Sequence, residues 1–299
     1  MDFAKTGRMP GLAFLASLRT IGPIVLCMLG LPLSTSSQSC TRSQASAVRP
    51  ALVFKLYRGY LIVVTGSVGG LNNLHFIVDT SKSPSIADRR LVQELGMRQQ
   101  AGSVSVPGEI VVAGRAVLTD VQVGPISAQS LPVLALDLSN LGKELGIRID
   151  MLIGLDVLGQ SSFSIDYRAR RISFGESPSL PLALPMESGP PFVSVMAMLD
   201  GHASRLLVNT GFPDFMLEDT VGERIQNVKS RLAINAAGEE LVCKRGMVRS
   251  VRLGEVDLGA QPAVSVKRGR KEFDGSLPIT ARFKEVVFDF EHHMLGIRR

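Results

Sequence analysis

Tryptophan is absent from the 299 residues, tyrosine occurs three times, and aromatic residues make up 5%. So few flat rings argue against a sugar-stacking platform and against a surface on which single-stranded nucleic acid would stack. Cysteine is nearly as scarce, with Cys27, Cys40 and Cys243 alone. None has a metal-ligand spacing; Cys40 and Cys243 would make at most one disulfide in an oxidising compartment. The four histidines, His75, His202, His292 and His293, are scattered. They suggest neither a metal centre nor a Ser or Cys triad, and His292-His293 reads as the last hairpin turn. No cofactor is implied. Charge of one sign is also thin, a net +6, with Lys267-Arg268-Gly269-Arg270-Lys271 as the single dense basic run. That run reads as a solvated loop or as a contact for an anionic surface. Helical periodicity is sparse, confined to Ile86 to Leu95, Leu138 to Leu145 and Glu218 to Ile225.

What the chain has is Val, Ile and Leu in runs of about 4 to 8, separated by Gly, Pro, Asn and Ser, the pattern of short strands. At 45% hydrophobic it has enough apolar side chain for a core, and its length suits two domains. Two of the strands run into similar polar turns about 130 residues apart. They are His75-Phe76-Ile77-Val78-Asp79-Thr80-Ser81 and Arg205-Leu206-Leu207-Val208-Asn209-Thr210-Gly211. A strand ending in a polar turn is common, so the repeat needs further matches.

Four more pairs occur in the same order. Val64 to Gly70 answers Val195 to Gly201, each a strand entering a Gly hairpin turn. Val121-Gln122-Val123-Gly124 answers Val251-Arg252-Leu253-Gly254. Asp150 to Leu155 answers Glu272 to Leu277, and Phe163 to Arg168 answers Val286 to Glu291. The expectation is an all-β chain with a few short helices, built as two copies of one β-rich lobe. The lobes span 52–175 and 192–299, joined by a Pro-rich linker over 176–191 that holds Pro178, Pro181, Pro185, Pro190 and Pro191.

The N-terminal residues stand apart. Lys5, Arg8 and Arg19 precede the apolar stretch Ile21 to Leu33, and Ser34 to Ser39 supply small residues. That order predicts a secretory signal peptide over 1–39, with an uncleaved membrane anchor as the competing reading. Residues 40–51 read as a spacer. An exported protein, periplasmic or extracellular, is expected.

The paired turns resemble the two Asp-Thr-Gly loops of the aspartic peptidase clan, specifically bacterial exported proteins with two retropepsin-like domains, over nearly all of 52–299. The resemblance implies a bilobal fold of two duplicated six-stranded-type β-barrel lobes facing a central cleft, with Asp79-Thr80-Ser81 in the first loop and Asn209-Thr210-Gly211 in the second. It implies that Leu152-Ile153-Gly154 packs under the first loop, with Phe273-Asp274-Gly275 as its second copy. It also suggests a flap from about Val104 to Val117, around Pro107-Gly108. In that clan two carboxylates hold one proton between them because like charges so close do not both ionise. One takes a proton from the bridging water while the other polarises the scissile carbonyl, and a Thr hydroxyl braces each loop.

This chain departs from the pattern three times. Asn209 replaces the second Asp, and an amide cannot exchange protons with the water. Ser81 replaces a Gly and restricts positive φ. Lys82 follows at once, and an ammonium beside Asp79 favours the charged carboxylate. Read without the resemblance, Asp79 is a turn-capping Asp at a strand end and Asn209 a turn Asn. Asp214 is either a substitute acid or a helix N-terminal Asp before Phe215. Three functions follow: a peptide-binding protein of peptidase fold without ordinary proteolysis; an active aspartic endopeptidase using Asp79 alone or pairing two Asp79 loops in a homodimer; or a scaffold anchored by the N-terminal segment. The partner of the first two is a peptide or protein.

Overall fold

The computed structural model describes residues 50–106, 109–175, 178–234, 240–266, 272–280 and 282–299. The N-terminal segment, most of the spacer, Cys40, the basic run 267–271 and the Pro107-Gly108 tip lie outside them. Residues Val48–Arg299 make one compact unit.

The first half runs β1 (Ala51–Val53), β2 (Lys55–Tyr57), β3 (Leu61–Val68), β4 (Leu71–Val78), β5 (Ile86–Asp88), α1 (Arg89–Glu94), β6 (Gln100–Val106), β7 (Glu109–Val123), β8 (Ile126–Leu136), α2 (Ser139–Leu145), β9 (Met151–Ile153), α3 (Leu155–Leu158), β10 (Phe163–Asp166) and β11 (Arg171–Phe174). The second half runs β12 (Leu182–Ser188), β13 (Ser194–Leu199), β14 (His202–Asn209), β15 (Phe215–Glu218), α4 (Asp219–Gly222), β16 (Gln226–Ile234), β17 (Glu240–Leu253), β18 (Val256–Val266), β19 (Gly275–Pro278), β20 (Glu285–Asp289) and β21 (Met294–Arg298). The chain is all-β with short helices, as its composition predicts.

The repeat is visible in the strand order. One sheet runs β3-β4-β9-β5-β8-β7-β6, and the other half repeats it as β13-β14-β19-β15-β18-β17-β16. The parallel pairs β4 with β9 and β14 with β19 place a strand beside each polar turn. The leading hairpins close on Gly69-Gly70 and Asp200-Gly201, all four residues at positive φ. Two successive left-handed residues give the turn twist that matches paired strands. Gly124 and Gly254 are likewise left-handed in the later turns.

Between the halves lies a sheet of order β1-β11-β10-β20-β21-β12. It is symmetric, because β10 meets its own counterpart β20 antiparallel, with Phe163 opposite Phe288. Their rings stack at 4.5 Å between centroids. Tyr167, fully buried, donates its hydroxyl to the Ile279 carbonyl at 2.9 Å across the halves. Burial pushes its phenol well above the usual range. One apolar core runs through both halves. A smaller one, containing Leu61, Val63, Ile77, Ile86 and Leu152, lies on the other face of the first sheet.

Several expectations need correction. The Pro-rich linker contains β12, paired with both β21 and β13. Leu182, Leu184 and Met186 alternate inward while Pro185 sits between them, so proline density hid a strand of period two. Ala51, assigned to the spacer, pairs with Ser173. Ile86 to Leu95 begins as the strand β5 before turning helical, and the helix expected from Glu218 to Ile225 shortens to Asp219–Gly222. Leu138 to Leu145 is helical from Ser139, and His292-His293 lies in the β20–β21 turn.

Candidate functional site

Asp79 follows β4 and Asn209 ends β14, and the two turns meet. The threonines lock them together. Thr80 donates its hydroxyl to the Val208 carbonyl at 2.9 Å, and Thr210 donates its hydroxyl to the Val78 carbonyl at 2.8 Å. Each thus reaches the residue before the polar side chain of the opposite turn. The Thr80 N–H donates to Thr210 Oγ1 at 3.1 Å. Both threonines are fully buried, where an unmade hydrogen bond costs its full desolvation penalty. Threonine supplies a donor, an acceptor and a methyl group for this dry joint.

The polar tips are set alike. The N–H two residues on donates to each: Ser81 N–H to Asp79 Oδ1 at 3.0 Å, and Gly211 N–H to Asn209 Oδ1 at 2.7 Å. Gly211 abuts the opposite side chain. A methyl carbon there would stand 2.5 Å from Asp79 Oδ2. Neither Gly211 nor Ser81 has positive φ, so the expected conformational penalty at Ser81 does not arise. Glycine serves space here, not backbone freedom.

Beyond that frame the loops part. Ser81 Oγ donates to Asp79 Oδ1 at 2.6 Å, doubling the hold of the backbone. Lys82 Nζ, half-buried, stands 3.7 Å from Asp79 Oδ2, the ion pair expected from its position. On the second side Asn209 Nδ2 donates to Ser276 Oγ at 3.3 Å. Asp79 and Asn209 are both buried.

Support comes from below. Asp79 N–H donates to the Ile153 carbonyl at 2.9 Å. A methyl on Gly154 would overlap the Lys82 carbonyl oxygen, so only glycine fits under the first loop. Gly154 N–H also donates to Ser85 Oγ, and Ser85 is fastened to Asp156 through both its N–H and its hydroxyl at 2.7 Å. The second copy of this element is not Phe273-Asp274-Gly275. Val78 pairs with Ile153 and Val208 with Leu277, so Ser276-Leu277-Pro278 stands where Leu152-Ile153-Gly154 does. Gly275 instead lies where a methyl would overlap the Met216 carbonyl oxygen. The true markers are Asp150 and Asp274. His75 N–H donates to Asp150 Oδ2, and Arg205 N–H to Asp274 Oδ2, each at 2.8 Å.

Asp214 caps no helix. It leads into β15, buried, and pairs with Arg245 at 2.8 Å. Tyr60 of the first half is near enough that burial first, and the Asp214 charge after it, raise its phenol. The proposed flap is the β6–β7 hairpin, Val106 opposite Glu109. Among the described residues, no group of three or more His, Cys, Asp or Glu could hold a metal ion. Sequence reasoning missed Ser276, whose signal was the Asp shared by positions 150 and 274.

These turns, their interlocked threonines and the strands beneath them define an aspartic peptidase-like fold. An aspartyl protease family model matches residues 64–157, the heart of the first half. A retropepsin-like aspartic protease from Rickettsia conorii is a solved structure similar to this chain. Identity is 14%, over 39% of this chain and 87% of that one, at a TM-score of 0.29. No curated protein matches the chain.

Proposed function

We propose that this is a protein of aspartic peptidase fold that binds an extended peptide between its two halves and does not hydrolyse it in the ordinary way. The observation that carries the reading is the Asn209 amide standing where the mirror image of the Asp79 carboxylate would be, on the same backbone N–H bond. A carboxylate pair activates water by passing one proton between its members. An amide donates and accepts hydrogen bonds but does not exchange that proton. General acid-base catalysis contributes roughly 10² to 10⁴-fold, and one member of the pair serves both halves of the cycle.

Binding needs less. Edge strands and side-chain pockets hold extended peptides without any proton transfer. A homodimer built on two Asp79 loops would have to break the Thr80 and Thr210 bonds, since the second loop already fills that place. Export by the N-terminal segment remains part of the proposal, supported by its order of basic, apolar and small residues. The test is binding of an extended-peptide library by the purified protein, measured beside cleavage of the same library. Capture without cleavage is expected; cleavage that disappears in Asp79→Ala would overturn the reading.

A further inference from the structure

Under the first loop β9 presents Leu152, which packs in the smaller apolar core. Under the second loop β19 presents Ser276 at the same register position, opposite Leu207 as Leu152 is opposite Ile77. Ser276 is 3% exposed. A hydroxyl buried in place of a leucine is costly unless it is bonded, and this one receives the Asn209 amide at 3.3 Å.

Asn209 is therefore held at both ends. Its Oδ1 accepts the Gly211 N–H, and one hydrogen of Nδ2 goes to Ser276. The amide torsion is broad by nature, and a leucine floor would offer Nδ2 only methyl groups. We propose that Ser276 is the positioning residue of the second loop, fixing the plane of the Asn209 amide so that its second N–H has a constant direction. A hydroxyl donates as readily as it accepts. The same serine would turn to donate to a carboxylate at position 209, so the floor suits Asn and Asp alike. The inference rests on reading Asn209 as a contact for ligand, yet it is tested without one.

The test follows the side-chain amide protons of Asn209 by nitrogen-15 NMR in the full chain, unaltered and as Ser276→Ala, Ser276→Thr and Ser276→Cys. Ser276→Ala should speed their exchange by about tenfold, the scale of one neutral hydrogen bond, and Ser276→Thr should restore it. Ser276→Cys keeps the volume with a weaker acceptor and should behave as Ser276→Ala does, even if the alanine variant folds poorly. Thermal midpoints recorded alongside separate this effect from general loosening. Unchanged Asn209 exchange in a folded Ala or Cys variant would overturn the inference. An amide that responds in a protein binding no peptide would instead refute the proposed function and leave Ser276 in its role.

Discussion

At Asp79 the side chain is gripped from its own loop, by the N–H and hydroxyl of Ser81 and by the Lys82 ammonium. At Asn209 the loop gives one bond, from Gly211, and the floor gives the other, from Ser276. Phe212 stands where Lys82 does, so the second loop carries no lysine of its own at that position. The floors differ in a matched way. Gly154 N–H bonds Ser85 Oγ under the first loop; under the second, the same positions hold Pro278, with no N–H, and Phe215, with no hydroxyl. What the loops keep in common is the backbone and the threonine joint. Those terms hold the halves together, whereas the tip groups are free to differ because they do not carry the fold.

The contrast is most easily broken at the floor. Gly154→Ala should destabilise by about 3 kcal/mol, since the methyl meets backbone that cannot move aside. Pro278→Ala at the matching position should cost about 1 kcal/mol or less, chiefly through unfolded-chain entropy. Denaturant midpoints compare the two, and equal losses would erase the asymmetry. The joint comes next. Thr80→Val and Thr210→Val should each cost about 2 kcal/mol as a buried carbonyl loses its donor. The double variant should cost less than the sum, because the two residues share one network.

Tyr167→Phe should cost about 1 kcal/mol, by removing the bond its hydroxyl donates to the Ile279 carbonyl of the second half. The smallest effect lies at the far hairpin. The hydrogen bond from His292 to Asp289, with the carboxylate charge behind it, raises the imidazole above its ordinary 6.5. Its contribution to stability is therefore complete below that ordinary value and is lost as pH rises through the raised one. Thermal midpoints across that window should show a small decline that His292→Ala abolishes.

Much of this was legible in the chain. The two polar turns stood out because each follows an apolar strand, and the Gly69-Gly70 and Asp200-Gly201 turns announced their hairpins. Asp79, Asn209, Thr80 and Thr210 lie together as their repeat implied, and Lys82 is beside Asp79. The floor was harder. Its strands are three and four residues long, too short for a period to fix their register. The second copy consequently reads three residues out, on Gly275 in place of Pro278. β12 hid behind its prolines, and Asp214 could not announce Arg245, a partner brought near by a separate hairpin.

On the proposed reading the second loop has no proton to share at Asn209 while its frame stays intact. Peptide hydrolysis from about pH 3 to pH 7 tests it directly, with the unaltered protein beside Asn209→Asp and Asn209→Asp combined with Ser81→Gly. The account predicts silence in the unaltered protein and cleavage gained in the repaired ones, greatest in the double variant. Cleavage by the unaltered protein that is lost in Asp79→Ala would contradict it.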